Sequence, residues 1–300
     1  MFGRRKEKAP EWASVLKDKN YTLFIEAVDD YFRQKGDPYT IDDGVVRLTE
    51  SDGNYGLYNI VQICAQVSQN DYTSVIKQHF DHIFENEAFR ANLNLDDLSV
   101  ARQYLGVRLY PQEYVDTIGA EKIAHRLFVG ELLEVLVYDM PDVVETVPFD
   151  QTEKWGVALD ELFAIGAEYV KSNYQFHAER VALQDDDALY AVETDHFFAA
   201  NILLELESYP ELIGRGGAII GAPLRNLVLI YPINDLKVVN SLTTIIDNVS
   251  RFYFNGPGSL TEEIYWYRNG RFEKLNYTSG EQASFTPSDA FMALLNEELS

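Results

Sequence analysis

The pair Asn269-Gly270 constrains the fold more than any other feature of this sequence, because it separates two β-prone runs at 263–268 and 271–275. Asn-Gly readily adopts the positive φ angles of a two-residue hairpin turn, so the two runs are predicted to pair antiparallel. Asp43-Gly44 separates two shorter β-prone runs within 39–48 in the same way. Both halves of the chain are therefore predicted to contain antiparallel hairpins.

The order of the other elements points to the fold class. Helical periodicity is found near 20–35, 57–67, 72–86, 157–172 and 235–252, and β-prone runs are found at 103–110, 131–139, 143–147, 176–183, 188–192, 197–206, 218–222 and 227–232. Strands come in runs with single helices between them, without strict βαβ alternation. This order predicts an α+β protein with mainly antiparallel sheets and flanking helices.

Four segments are predicted along the chain. They are a mobile charged lead at 1–18, an N-terminal α+β subdomain at 19–120, a C-terminal α+β subdomain at 121–276, and a polar linker with a short amphipathic helix at 277–300. Periodicity lapses near 115–125, and either two subdomains of similar size or one continuous sheet fits this pattern.

The charge balance excludes several function classes. The chain has 25 Lys and Arg against 48 Asp and Glu, a net charge of −23, which repels nucleic-acid phosphates. Nucleic-acid binding would require four arginines to cluster on one face: Arg215, Arg225, Arg268 and Arg271. The single cysteine, Cys64, excludes a disulfide framework, and no apolar run reaches the roughly 18 residues of a membrane span. The basic N-terminus has no apolar segment after it, so a cytoplasmic protein is expected.

Two pairs of residues are candidates for chemistry. His79 and His82 lie three apart on a predicted helix and could share a metal, or could simply flank a buried Phe80. Asp195 and His196 could act as a carboxylate–imidazole base, or could form a polar strand edge or turn. The sequence has no Gly-x-Ser-x-Gly elbow to supply a nucleophile. We therefore assign no catalytic residue, no cofactor and no metal.

Apolar residues near the C-terminus are candidates for contact with a partner. Strand alternation sends one or two of Tyr265, Trp266 and Tyr267 to the face opposite the core, which is a contact patch if no helix covers it. The terminal helix near 286–299 could dock on its own domain or in a groove of a partner through its apolar residues, which include Phe291, Leu294 and Leu295. A protein partner or a homodimer is predicted, and the ligand is left open.

The order and spacing of several motifs resemble a known family. An apolar strand leads to Asp139-Met-Pro-Asp142, then to Val144-Glu-Thr-Val147 and a helix after Trp155-Gly156, and finally to Tyr265-Trp-Tyr-Arg-Asn-Gly-Arg-Phe272. Over roughly 100–275, and more weakly over 40–86, the chain resembles the YtpQ-like family of bacterial proteins of unknown function. The resemblance implies a cytoplasmic α+β protein and supplies no reaction.

The expected function is a non-catalytic protein–protein interaction module, adaptor or chaperone-like in character. The alternative is a hydrolase-type enzyme that uses a His/Asp site and is assisted by a metal. The two differ in that an enzyme requires His196, Asp195 and nearby carboxylates to converge on one cleft.

Overall fold

The computed structural model describes residues 8–50, 53–141, 143–184, 187–278 and 284–299. It confirms an α+β fold, and the strand pairs within these residues all run antiparallel. None of the helices found in these ranges is both long and apolar enough to cross a membrane. The chain divides into two compact units, Met1–Asn92 with Pro141–Val143, and Leu93–Met140 with Val144–Ser300.

The first unit packs helices against a small three-stranded sheet. Its elements are α1 (Asp18–Lys35), β1 (Tyr39–Asp42), β2 (Val45–Leu48), β3 (Asn54–Gly56), α2 (Tyr58–Ala65) and α3 (Tyr72–Arg90). Asp43 and Gly44 have φ angles of 43° and 72°, so the predicted hairpin is confirmed. Its core is rich in aromatic side chains. The rings of Phe32 and Phe80 meet edge-on with their centres 4.8 Å apart, and the Tyr31 ring lies 5.3 Å from each of them.

The predicted mobile lead at 1–18 differs from the structure where the structure describes it. Residues Glu11–Ala13 form a 3-10 helix, and the side chains of Ala13 and Leu16 are buried in the core of the first unit. Two apolar side chains inside a mainly polar segment are enough to attach it to the core. Residues 1–7 of the predicted lead lie outside the described residues.

The second unit is larger. Its helices and strands are α4 (Leu98–Ala101), β4 (Leu105–Pro111), α5 (Gln112–Ile118), β5 (His125–Val129), β6 (Leu132–Asp139), β7 (Val144–Thr146), α6 (Phe149–Trp155), α7 (Leu159–Asn173), β8 (Ala178–Ala182), β9 (Ala188–Glu193), β10 (Ala218–Leu224), β11 (Leu227–Pro232), α8 (Lys237–Asn255), β12 (Ile264–Arg268), β13 (Arg271–Thr278), β14 (Ser284–Thr286) and α9 (Asp289–Ala293). Short 3-10 helices connect several of these elements. They are Ala120–Lys122, Ala199–Ser208 and Pro210–Leu212. One turn of π-helix, Leu294–Glu298, follows α9.

Two sheets organise the second unit. The first has strand order β4-β6-β5, with β7 also paired to β6. The second has seven strands in the order β14-β13-β12-β10-β11-β9-β8. Asn269 and Gly270 have φ angles of 50° and 74°, which confirms the hairpin between β12 and β13.

Both faces of the seven-stranded sheet are covered. Residues 218, 220 and 222 of β10 face a core shared with β4, β6 and the 3-10 helix Ala199–Ser208. The other face of the same strand packs against α8 and the terminal helix, through Ile219. The sheet is therefore the central layer of this unit.

One strand predicted from the sequence needs correction. The run 197–206 is not a strand but belongs largely to the 3-10 helix Ala199–Ser208, in which five consecutive residues from Ala199 to Leu203 are buried. A short apolar run buried on all sides has no periodicity that separates strand from helix. The division between the two compact units falls at Asn92 and Leu93, and β4 pairs along its length with β6 within the second unit.

Gly221 of β10 provides a test of how closely α8 packs on this sheet. A methyl group at Gly221 would overlap the Cγ2 methyl of Val249 on α8. Strand propensity alone favours Ala over Gly by about 0.5–1 kcal/mol. We nevertheless expect Gly221→Ala to lower the free energy of unfolding by about 1–3 kcal/mol, because overpacking outweighs propensity.

Urea unfolding of the full chain measures this effect. The double variant Gly221→Ala with Val249→Ala is the control, because it removes the overlapping methyl group and should show a favourable coupling energy in a double-mutant cycle. A Gly221→Ala protein more stable than the parent would contradict the close packing of α8.

Candidate functional site

An arginine lies inside the second unit on β4. Strand alternation puts Arg108 and Tyr110 on the same face of β4, because they are two residues apart. Arg108 is only 4% exposed. Its guanidinium carbon lies 4.5 Å from the centre of the Tyr110 ring, and its Nη2 donates a hydrogen bond to the Tyr110 hydroxyl. The guanidinium is therefore held against an aromatic ring and away from bulk water.

A second arginine approaches the same ring from the turn between β10 and β11. The backbone of Arg225 is fixed on both sides, since its N–H donates to the Gly258 carbonyl at 3.1 Å and its carbonyl accepts from the Ala200 N–H at 3.3 Å. The guanidinium carbon of Arg225 lies 5.0 Å from the centre of the Tyr110 ring and 6.0 Å from that of Tyr114. Arg225 is partly exposed, so the pair of arginines borders solvent at this turn.

Two stacked tyrosines support both guanidiniums. Tyr110 ends the apolar part of β4 and Tyr114 lies in the first turn of α5, and their ring centres are 4.3 Å apart with planes inclined by 25°. A guanidinium within about 6 Å of a tyrosine ring is attracted by the negative face of the ring. The rings thus offset part of the repulsion between the two cations, but they supply no negative charge.

The 3-10 helix Ala199–Ser208 joins the segments that carry the two arginines. Ala200 donates to the carbonyl of Arg225, as described above, and the adjacent Asn201 donates from Nδ2 to the carbonyl of Val107 at 2.6 Å. Val107 immediately precedes Arg108. Two consecutive helix residues therefore bind the backbone beside each arginine and fix the pair in place. We call Arg108, Arg225, Tyr110, Tyr114 and Asn201 the arginine site.

The arginine site has no negative counter-charge among the residues that the structure describes. Neither Arg108 nor Arg225 forms an ion pair there, and the Nε atom of each is buried without a hydrogen-bond partner. Burial, and next the charge of Arg108, lower the pKa of the Arg225 guanidinium. An arginine nevertheless keeps its proton in proteins, so both side chains are cations.

Arg126 shows the ordinary arrangement in the same unit. Its guanidinium lies 4.4 Å from the centre of the Phe163 ring and pairs with Glu134 at 2.8 Å and with Asp160 at 3.3 Å. Glu134 is the buried member of this pair, and a buried charge is normally paired because an isolated buried charge is costly. Arg108 and Arg225, by contrast, have no carboxylate partner in the described part of the chain, although the sequence contains 48 acidic residues.

The two histidines considered as candidate metal ligands lie elsewhere. His79 and His82 are both half-buried on α3 in the first unit, and the His79 ring contacts the Phe80 ring at 5.1 Å. Burial, followed by the neighbouring His82, lowers the pKa of His79. Within the described ranges, no group of three His, Cys, Asp or Glu residues could hold a metal ion.

Asp195 and His196, considered either as a carboxylate–imidazole base or as a polar strand edge or turn, lie just before the 3-10 helix Ala199–Ser208. Asp195 is exposed, and the Nδ1 atom of His196 accepts a hydrogen bond from the Phe198 N–H at 3.2 Å, so Asp195 does not orient the imidazole. The His196 ring packs on the Tyr174 ring at 4.4 Å. Burial lowers the pKa of His196, and the charges of Asp195 and Asp139 oppose that effect. The imidazole is therefore part of an aromatic packing cluster.

The aromatic residues predicted as a contact patch are buried. Tyr265 and Tyr267 face the core shared with β4 and β6, and Trp266 faces the opposite core. The Trp266 ring meets the Phe291 ring of α9 at 5.1 Å. Of the terminal-helix candidates, Phe291 and Leu294 are buried and Leu295 is half-buried, so this helix docks on its own unit. A contact patch at these residues requires that one face of the sheet be uncovered. Both faces of the sheet are covered at β12, so these three side chains form no exposed patch.

The four arginines considered for nucleic-acid binding do not gather on one face. Arg225 lies in the turn that follows β10, whereas Arg215 precedes that strand, and Arg268 and Arg271 flank the turn between β12 and β13. The antiparallel register pairs Ala218 with Tyr267, which puts these three at the other end of the sheet from Arg225. Arg225 instead shares a site with Arg108.

Comparisons with protein-family models, with curated proteins and with solved structures find no match for this chain. The resemblance to the YtpQ-like family therefore stays a prediction. The description of the arginine site depends only on the contacts given above.

Paired and unpaired arginines should respond in opposite ways to the same substitution. In a buffer free of phosphate and sulfate, we expect Arg225→Met to raise the free energy of unfolding by about 1 kcal/mol, because it removes an unneutralised charge and keeps apolar contact with the tyrosines. The control Arg126→Met should lower it by about 1–3 kcal/mol, because Glu134 is left buried and unpaired. Equal destabilisation of the two variants in urea unfolding would contradict the absence of a counter-charge at Arg225.

Proposed function

We propose that this protein is a non-catalytic binding module whose specific contact is an anionic group held between Arg108 and Arg225. The observation that carries the proposal is that the guanidiniums of buried Arg108 and partly exposed Arg225 contact the same tyrosine ring and have no carboxylate partner among the described residues. The proposal refines the interaction module expected from the sequence, and it gives the partner a chemical feature. That partner carries a phosphate, sulfate or carboxylate group.

The energetics favour an anion with more than one oxygen. Each guanidinium has an unused Nε–H, and charge-assisted hydrogen bonds from arginine to an oxyanion are about twice as strong as neutral ones. One anion between the cations neutralises both and removes their mutual repulsion. The same attraction would be far weaker at an exposed arginine, where water screens it.

The chemistry of the surrounding groups supports binding rather than catalysis. Burial, and next the neighbouring Tyr110, raise the pKa of Tyr114, so its phenol stays protonated at neutral pH. Guanidiniums and neutral phenols donate hydrogen bonds, but they do not remove a proton from water or from a substrate. The hydrolase alternative would have to use His196, whose Nδ1 is occupied by a backbone N–H. That alternative stays a separate prediction.

The proposal also covers the source of the anion and the location of the protein. A net charge of −23 disfavours nucleic acid and anionic lipid as sources of the anion, since the rest of the surface repels them. An acidic or modified group on a protein partner and a small anionic metabolite both fit. We place the protein in the cytoplasm, as the sequence and its family resemblance suggest.

Anion binding should appear as thermal stabilisation. At constant ionic strength, we expect phosphate to raise the melting temperature saturably, since a ligand at a hundred times its Kd stabilises the native state by about 2.7 kcal/mol. For a unit of this size that corresponds to a shift of about 5–10 °C.

Variants separate this response from a general salt effect. Arg108→Met and Arg225→Met should lose the saturable shift, and Arg215→Met, which changes an exposed arginine at the other end of the sheet, should keep it. A shift that is identical in all four proteins would show that phosphate acts on the bulk surface, and would contradict the proposal.

A further inference from the structure

A cavity of about 680 Å³ lies in the second unit beside the hairpin of β12 and β13. Its other walls are the end of β5 and residues 203–208 of the 3-10 helix. Small-ligand sites in proteins usually measure about 300–1,000 Å³, so this space is large enough for an organic molecule or a long side chain. None of the five residues of the arginine site lines this cavity, so it is a separate feature of the unit.

Three aromatic rings line the cavity. Strand pairing places Tyr267 opposite Phe272, with the ring centres 4.7 Å apart and the planes inclined by 55°. The Phe128 ring of β5 meets the Phe272 ring at 5.1 Å with an inclination of 63°. Phe128 and Phe272 are half-buried against the core, and both border the cavity. Because the three planes are inclined to one another, the rings border the space from different directions.

Two carboxylates of the 3-10 helix also border the cavity. Glu205 pairs with Lys171 at 3.5 Å, whereas Glu207 has no ion pair among the described residues. Oε1 of Glu207 accepts a hydrogen bond from the Tyr267 hydroxyl at 3.2 Å, which holds this carboxylate beside the rings. Burial, and next the charge of Glu207, raise the pKa of Tyr267, so the phenol is neutral and does not offset the carboxylate charge.

Arg271 borders the cavity as well, but its side chain belongs to the other face of the sheet. Arg271 pairs with Arg268 across the hairpin, and strand alternation puts both on the face of Trp266. Tyr267 and Phe272 are on the opposite face. Arg271 and Trp266 accordingly line a second cavity together. The carboxylate of Glu207 therefore lies beside aromatic rings and is not neutralised by Arg271.

We propose that this cavity binds an alkylammonium group, the chemistry of a lysine side chain, with the charged nitrogen at Glu207 and the apolar stem against Phe128 and Phe272. An ammonium donates hydrogen bonds to a carboxylate and is attracted by the negative faces of aromatic rings. Its methylene groups bury apolar area against the same rings. A neutral ligand would leave the carboxylate unpaired, and an anion would be repelled by Glu207 and by the net charge of −23.

This inference goes beyond the proposed function and does not depend on it, since it assigns a ligand of the opposite charge to other residues. The two sources of the group are a small free amine and a lysine of a partner protein. Both carry their charge at neutral pH, because an alkylamine has a pKa of about 10.4.

Saturation-transfer NMR titrations of the full chain at pH 7 and about 0.15 M salt test the inference with three probes: pentylammonium, 1-pentanol and N-acetyl-lysine N-methylamide. We expect pentylammonium to bind about tenfold more tightly than 1-pentanol, because a partly exposed ion pair and a cation–π contact each contribute about two- to fivefold. Tighter binding of the lysine derivative than of pentylammonium assigns the site to a peptide lysine, and the reverse assigns it to a free amine.

Three variants locate the binding. Glu207→Gln should weaken pentylammonium binding about three- to fivefold and leave 1-pentanol unaffected. Glu211→Gln makes the same charge change at an exposed glutamate in the next 3-10 helix, outside the cavity, and should change the affinity less than about 1.5-fold, because salt screens distant charges. Phe128→Leu keeps an apolar wall and should reduce the preference for pentylammonium over 1-pentanol to about threefold.

Three results would overturn the inference. Equal affinity of the parent protein for pentylammonium and 1-pentanol would make the cavity a purely apolar site. Equal weakening by Glu207→Gln and Glu211→Gln would show that the acidic surface as a whole attracts the amine. Binding of none of the probes would also overturn it. The phosphate response of the arginine variants is measured separately, so either claim can fail while the other stands.

Discussion

Coverage of the seven-stranded antiparallel sheet on both faces is the constraint on which the second unit depends. Consecutive residues of β10 and β12 alternate between two cores, so each face needs its own apolar cover. The helix α8 and the terminal helix cover one face, and β4, β6 and the 3-10 helix Ala199–Ser208 cover the other. This layering uses the aromatic residues around Trp266 for packing, and it brings the turn that follows β10 against β4.

The arginine site is a consequence of that layering. Arg108 lies on β4 with its guanidinium at the Tyr110 ring. Arg225 lies in the turn after β10, and its guanidinium contacts the same ring. An apolar side chain at either position would pack without the cost of burying a charge. Two cations beside one tyrosine ring have a physical reason if an anion binds there, and the protein without that anion is then less stable than a fully apolar core would make it.

The sequence predicts the parts of this structure that local chemistry determines. The two hairpins follow from Asp43-Gly44 and Asn269-Gly270, because positive φ angles at both turn positions leave few alternatives. The α+β class follows from the order of the elements. The helix at 199–208 could not be distinguished from a strand, since all of its first five residues are buried.

The site was less accessible to sequence reasoning. In the sequence, Arg225 is one of four arginines considered for nucleic-acid binding, and Arg108 is a single charge within an apolar strand. Nothing in the sequence indicates that the two lie near each other. Whether Arg108 has a carboxylate partner among the described residues depends on which acidic residues the fold brings near it, and a local sequence pattern does not determine pairing between distant residues. The same holds for His196, whose neighbour in space is Tyr174 rather than Asp195.

A crystal structure of the protein grown with phosphate, in the absence of sulfate, tests the central claim most directly. The account predicts tetrahedral density between Arg108 and Arg225, with oxygens at hydrogen-bond distance, about 2.7–2.9 Å, from the Nε atoms of both. A well-ordered pair of arginines with a carboxylate of the chain itself between them, and no phosphate, would contradict the account.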